Sequence, residues 1–258
     1  MRIATWNVNG IRAAARKGMG DEVARVSPDA LLLQEVRATP DKIPPEWREP
    51  ADWHAFWHPA ERPGYAGTGL LAGRHIDRVD EESRGAGEDD PEGRVIAARV
   101  GPVRLVSVYL PSGSSGEHRQ AEKDRWLGFF LDWSAVFARS RVPTILGGDF
   151  NIAHQHRDLY YAKSNEKNSG FLPHERAWFG ELLGQGWSDL IREKYGEVEG
   201  PYSWWSNRGQ ARALDRGWRI DYLLANRAAS RLVDDCHIDR QSGLGVSDHA
   251  MVVADLAV

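Results

Sequence analysis

Residues 142–154 read VPTILGGDFNIAH. The apolar, β-branched opening reads as a buried strand. It ends in two glycines, followed by Asp149, Asn151 and His154. A hydrophobic core does not select those polar groups. A strand that delivers them at its carboxyl end needs other strand ends to complete a site.

Those other strands are visible. RIATWNV, ALLLQEV, TGLLAG, RVIAARV, VRLVSVYL, WRIDYLLA, RLVDDCHID and MVVADLAV are rich in β-branched residues and bounded by Gly, Pro or Asp. RVIAARVGPVRLVSVYL reads as a hairpin turning at GP. The clearest helix is expected from Glu117 to Ala138, where Trp126, Phe130, Trp133 and Phe137 recur at three- and four-residue steps. That spacing makes the aromatic stripe a packing face. Strands interleaved with helices predict an α/β fold, two packed mixed sheets with helices outside.

With 258 residues, 28.9 kDa and 41% hydrophobic residues, the chain can bury a large core. No linker divides it, so residues 1–258 are expected to form one domain. The acidic, Gly-rich stretch at 80–93, DEESRGAGEDDPEG, reads as an exposed hairpin loop. Its first 13 residues carry seven acids and one Arg, a net of −6 against −4 for the whole chain, which leaves +2 elsewhere. The acidic total therefore does not exclude a nucleic-acid partner. A single cysteine, Cys236, rules out an internal disulfide. The amino terminus has no apolar signal core, and no run of about 18 apolar residues occurs. A soluble protein of the reducing cytoplasm, not bound to membranes, is expected.

Six strand ends carry polar residues: Asn7, Glu35, Tyr109, Asp149 with Asn151, Asp221, and Asp248 with His249. Singly, an Asp or Asn after a strand is a turn former. If these ends converge, four carboxylates share one site and repel one another unless a cation joins them. The donors are mostly oxygens, without Cys pairs or zinc-like His spacing, so a hard ion, Mg²⁺ or Mn²⁺, is expected. Mg²⁺ commonly completes its shell with water and substrate phosphate, which points to phosphoester chemistry. His249, with an Asp partner, can hydrogen-bond or protonate a phosphate oxygen.

TWNVNGIRA, LLLQEVR, VYLPSGS, GGDFNIAH, NEKNSGFLPHERAW, GWRIDY and SDHA, in that order over residues 2–250, resemble the successive motifs of the exonuclease III family of apurinic/apyrimidinic (AP) endonucleases, within the DNase I-like superfamily. The resemblance implies a four-layer α/β sandwich with the site at one end of the two sheets. It also implies Mg²⁺-dependent cleavage of the DNA phosphodiester 5′ to an abasic site, often with 3′–5′ exonuclease or 3′-phosphatase activity. Carried over by motif, Glu35 is the main metal ligand with Asn7 and Asn9 nearby. Asp149 activates or orients the attacking water with Asn151, and Tyr109 touches the phosphate. His249 binds phosphate, paired with Asp221, while Asp248 offers a second metal position. The candidate metal set is Asn7, Glu35, Asp149, Asn151, Asp248 and His249. In this frame Gly147 and Gly148 let neighbouring elements approach closely. Asp149 and Asn151, two apart, face the phosphate, with Phe150 pointing into the core. His154 has no assigned part.

The resemblance also places Trp204, Trp218 and Ile220 in an apolar pocket for the extruded abasic sugar. Arg119, Lys163, Lys167, Arg208, Arg212 and Arg216 are candidates for the DNA backbone, and Asn9 and Arg37 for substrate binding. The partner implied is double-stranded DNA with abasic sites or 3′ ends, and a monomer is expected. The chain departs from the family pattern at Arg37, where Lys is more frequent, at Asp215, usually Asn, and at Met251, often Pro. Two other readings are a different phosphodiesterase of the superfamily, such as a nonspecific nuclease, and a catalytically silent nucleic-acid-binding regulator. Against the first stand NSGFLPHERAW and GWRIDY; against the second stands the intact set of acids.

Overall fold

The computed structural model describes residues 1–86 and 90–258. Among the described residues twelve strands alternate with helices: β1 Arg2–Asn7, β2 Ala30–Gln34, β3 Trp53–His58, β4 Thr68–Gly73, β5 Val79–Arg84, β6 Val95–Val100, β7 Val103–Tyr109, β8 Thr144–Asp149, β9 Trp187–Asp189, β10 Asp221–Asn226, β11 Val233–Asp239 and β12 Met251–Leu256. They form two six-stranded sheets, ordered β11-β12-β1-β2-β4-β3 and β5-β6-β7-β8-β10-β9. Each is mixed, with β1–β2 parallel in the first, β7–β8 parallel in the second, and the other pairs antiparallel.

Alternation along the strands builds the layers. Ile3, Leu32 and Leu70 of the first sheet meet Ile96, Ile145 and Leu223 of the second in a shared core. Their neighbours Ala4, Trp6, Leu31 and Leu33 face outward under Val23 and Val26 of the helix Met19–Val26. Val106, Val108, Leu146 and Leu224 cover the second sheet's outer face. They lie under Leu127 and Phe130 of the helix Glu117–Ala138 and Phe179 and Leu182 of the helix Pro173–Gly184. Each such side chain contributes about 1.5–3 kcal/mol through burial. Helix, sheet, sheet, helix is the expected four-layer order. The expected aromatic stripe packs as a face: Phe130 is buried, while Trp126, Trp133 and Phe137 lie half-buried against the same cluster.

The two glycines of the opening stretch are required by this packing. A Cβ on Gly147 would lie 2.5 Å from Leu32 Cδ1 of the opposite sheet, and one on Gly148 would collide with the Val108 carbonyl of β7. Phe150 is fully buried among Phe130, Phe179 and Tyr222.

The acidic stretch departs from expectation. Its first part is β5, an edge strand paired to β6 with a register shift between Glu81 and Ser83. Its acids are paired, Glu81 to Arg84 and Glu82 to Arg104. Charged side chains on both faces hid the strand period and suit an edge that must resist pairing with another sheet. Asp90 turns inward and accepts the backbone N–H of Arg94 at 2.9 Å and of Val95 at 3.1 Å. The remainder of the stretch at residues 87–89 lies outside the described residues. Two strands went unread, β3 with its mixed WHAFWH and the three-residue β9. Among the described residues, no helix is long and apolar enough to cross a membrane.

Candidate active site

Strand register brings the polar ends together. Asp149 is the Cα partner of Tyr109 on one side and of Asp221 on the other, so three residues form one row across β7, β8 and β10. β1 of the facing sheet ends on Asn7, whose Nδ2 donates to Asp149 Oδ2 at 2.9 Å. Glu35 follows β2 directly, and Asp248 and His249 lie just before β12.

Asp149 is buried, and it accepts a second hydrogen bond from the backbone N–H of Asn151 at 2.8 Å. Burial and then the charge of Asp221 push its carboxyl up to about 7. His249 Nδ1–H donates to Asp221 Oδ2 at 2.9 Å, and Ser203 Oγ–H donates to the same oxygen at 2.6 Å. Burial opposes a charge on this imidazole, but Asp221, Asp149 and Asp248 outweigh it and raise His249 to about 10. Its Nε2 lies 4.0 Å from Asp149 Oδ2. The site thus holds a proton acceptor near neutrality beside a cationic proton donor.

Asp248 behaves differently. Burial works against its charge, yet the His249 cation, the Asn9 amide at 2.9 Å and the Trp204 indole N–H at 3.1 Å hold its carboxyl below the usual range. Tyr109 is pushed well above its ordinary value by burial and by the charges of Glu35 and Asp149. It therefore keeps its phenolic proton and offers a donor.

These groups open into one cleft of about 890 Å³. Its lining includes Asn9, Glu35, Arg37, Tyr109, Asp149, Asn151, Asp248 and His249, with Trp204, Trp218 and Ile220 as apolar wall and Lys167 and Arg208 at the margin. Trp204 and Trp218 meet edge to face at 6.2 Å, and both pack on buried Phe171, Leu159 and Ile220. Asn7 and Asp221 stand behind the lining and orient the groups in front.

The expected side-by-side arrangement of Asp149 and Asn151 is achieved differently. β8 stops at Asp149, and Asn151 sits in the left-handed region at φ 50°, its Nδ2 donating to the Leu110 carbonyl at 2.9 Å. A turn, not the strand period, aims it. Asn9, Glu35 and Arg37 share that conformation at φ 48°, 55° and 51°. Strain of this kind gathers at functional sites because the surrounding structure has to hold it in place.

Ligand atoms of Asp149, Asp221 and His249 lie within 4.8 Å of one another, a buried group able to hold a cation. It includes Asp221, one of the four carboxylates expected to converge, which the resemblance pairs with His249. Glu35 falls outside that trio, facing the same cleft and paired with Arg37. Asp248 and the Asn9 amide face the same cleft, and oxygen donors of this kind suit a hard cation.

Residues 4–249 match the endonuclease/exonuclease/phosphatase family. The chain belongs to that family. It is 34% identical over 253 residues to an exodeoxyribonuclease of Bacillus subtilis, covering 98% of both chains. It is 36% identical over 262 residues to the DNA repair nuclease APEX1 of Danio rerio, covering 100% of this chain and 83% of that protein. A 3′–5′ exonuclease, NExo, of Neisseria meningitidis superposes with a TM-score of 0.89 at 30% identity over 100% of each chain. A structure of the 3′ phosphatase NExo bound to a product DNA hairpin gives 0.88 at 30% identity over 99% of each. Within the family the chain is a phosphodiester hydrolase of the exonuclease III type, and the family's nucleases depend on metal.

The NExo neighbour holds a product DNA hairpin, and the cationic candidates differ in placement. Lys167 and Arg208 line the cleft, and Lys163 and Arg216 are exposed beside it. Arg119 is bound to Glu92 and Glu122 and lies over the Tyr65 ring, outside the cleft lining. Arg212 donates to the carbonyls of Ser247, Arg240 and Ser242 and lies 4.6 Å over Trp205. Both guanidiniums are spent on the protein's own acceptors. Asp215, the acid at a position usually Asn, accepts from Trp205 Nε1 at 3.1 Å and pairs with Arg240 at 3.1 Å. Its charge is thereby balanced. His154 is structural, its ring 5.0 Å from Phe179 and its backbone N–H on the Tyr222 hydroxyl.

Two buried groups escaped the sequence reading. Ser203, inside YSWW, carries no signal of its partnership with Asp221. Lys123 is fully buried, donating to the Asn151 carbonyl at 2.9 Å and to Glu175 at 2.6 Å. A signal existed here: Lys123, Leu127, Phe130 and Ser134 share one helical face.

Proposed function

We propose that the protein is a Mg²⁺-dependent AP endonuclease that cuts duplex DNA 5′ to an abasic site, leaving a 3′ hydroxyl, and also processes 3′ ends. The observation that carries this reading is the pairing of a buried Asp149, near neutrality, with cationic His249 at the floor of a cleft walled by Trp204, Trp218 and Ile220. An abasic sugar reaches such an apolar wall at low cost, because no base has to leave the stack.

Ionised Asp149, held in place by the Asn7 amide and the Asn151 N–H, takes a proton from the attacking water as the water oxygen bonds to phosphorus. The P–O3′ bond breaks, and the departing 3′ oxygen takes a proton from solvent to become the 3′ hydroxyl. His249 Nε2–H and the Tyr109 hydroxyl donate to phosphoryl oxygens as negative charge develops there. Asp221 and Ser203 keep the imidazole oriented with its proton on Nδ1. Glu35, Asp248 and the amides of Asn7 and Asn9 would hold the cation, which would supply positive charge to offset the charge that develops in phosphoester cleavage. While His249 keeps its proton its nitrogens donate, so the ligand role falls to the oxygens. Residues 1–258 act as one catalytic unit and as a monomer, in a cytoplasm-like reducing compartment that keeps buried Cys236 a thiol.

Incubation with three duplexes under one Mg²⁺ concentration tests the assignment: an internal abasic analogue, a recessed 3′ end and a 3′ phosphate. A single cut 5′ to the lesion is expected. Random nicking, or trimming of 3′ ends alone, overturns the abasic assignment. The second outcome would favour 3′-end processing as the main activity, the reading to which the likeness to NExo points.

A further inference from the structure

Tyr160 and Tyr161 are 48% and 50% exposed, beside a cleft whose wall tryptophans Trp204 and Trp218 are half-buried. Their rings meet edge to face at 4.7 Å and 89°. The Arg216 guanidinium lies 5.8 Å from both ring centroids. The group is anchored to the cleft wall: Tyr160 N–H donates to the Gly217 carbonyl at 3.1 Å, and Leu159 bridges Trp218. Two of the nearby acids are engaged elsewhere, Glu166 with His156 and Asp215 with Arg240. Lys163, Lys167, Arg208 and Arg216 thus keep their charge for a polyanion that leaves the cleft on this side.

We propose that Tyr160, Tyr161 and Arg216 form a stacking platform for an unpaired nucleobase of a DNA strand leaving the active-site cleft. This rests on the nuclease reading above and deepens it. Two perpendicular rings make a corner with an open π face, and a guanidinium at its mouth stacks on a base or pairs with the adjoining phosphate. A base pair inside a duplex has both faces covered by its neighbours, so an unpaired base is the better occupant of the corner. The platform favours substrates with single-stranded or frayed segments beside the cut.

Fluorescence anisotropy in metal-free buffer tests the platform with two probes, a single-stranded thymidine oligonucleotide of about 12 nucleotides and a blunt duplex with one abasic analogue. Tyr160→Ala/Tyr161→Ala is expected to weaken the single strand about tenfold or more and leave the blunt duplex unchanged. Tyr160→Phe/Tyr161→Phe, which keeps both π faces, restores single-strand binding. Equal weakening on both probes, an unchanged single strand, or failure of the Phe pair to restore binding overturns the proposal. Near-ultraviolet circular dichroism identifies a misfolded Ala variant, in which case the Phe pair against Tyr160→Leu/Tyr161→Leu decides by the same comparison. A wild-type protein that binds the strand but does not cut at the lesion sinks the abasic assignment and leaves the platform standing.

Discussion

In the proposed mechanism Asp149 works as a carboxylate that is costly to ionise. Burial and Asp221 push it up to about 7, and the Asn7 amide and the Asn151 N–H keep it usable as a base. Asp149→Asn retains the shape and removes the base, so turnover should fall by roughly two orders of magnitude or more while DNA affinity is kept. Single-turnover rates beside equilibrium binding check this, and near-normal turnover would remove Asp149 from the role. The pH profile follows with its sign. Asp149 acts ionised, so activity is lost as pH falls through its pKa, and a bound cation draws that limb to about 7 or below. His249 acts protonated, so activity is lost again as pH rises through about 10. Measured kcat/KM against pH should be bell-shaped, and an acid limb centred above about pH 8 would contradict a base at Asp149. Residue identities at the site were legible from the motifs. The left-handed backbone at Asn9, Glu35, Arg37 and Asn151 was not, since Glu and Arg have no local preference for it.

The elements that carry the site are joined by one buried ion pair. Lys123, from the helix Glu117–Ala138, reaches Glu175 of the helix Pro173–Gly184, and Glu175 also accepts the backbone N–H groups of Gly170 at 2.7 Å and Leu172 at 3.0 Å. The pair fixes both the Asn151 turn and the loop beneath Trp218, where a Cβ on Gly170 would come within 3.3 Å of the indole. Lys123→Met leaves an uncompensated buried carboxylate and should cost about 3–5 kcal/mol. Adding Glu175→Gln removes the charge but keeps an oxygen for the two N–H groups, and most of that loss should return. Urea denaturation of both variants tests the order; a double variant no more stable than Lys123→Met would contradict it. The long helix and its faces were readable because periodicity is a local property. β5 was not, because a charged edge strand shows no apolar alternation, and its identity depends on β6 lying beside it.

At the scale of the molecule, the two sheets are held in register by a buried polar link as well as by apolar packing. Gln34 Nε2 of β2 donates to Ser107 Oγ of β7 at 3.0 Å, Ser107 Oγ donates to the Leu33 carbonyl at 2.9 Å, and Thr5 of β1 completes the group. Ser107→Ala leaves the Gln34 amide short of an acceptor in a dry layer and should cost about 1–3 kcal/mol. A lower urea midpoint with unchanged slope is the expected reading, and an unchanged midpoint would mean that the link carries no stability. The amino-acid sequence by itself determined most of the strands, the long helix Glu117–Ala138, the inventory of candidate site residues and, through motif order, the family. Only the tertiary structure decided which of those residues share the cleft. It spent Arg119 and Arg212 on internal acceptors, gave Asp221 a serine partner, and set exposed tyrosines beside the wall. The physical reason is range: propensity and periodicity act over a few residues, whereas burial, charge pairing and proton affinity depend on neighbours brought from distant parts of the chain.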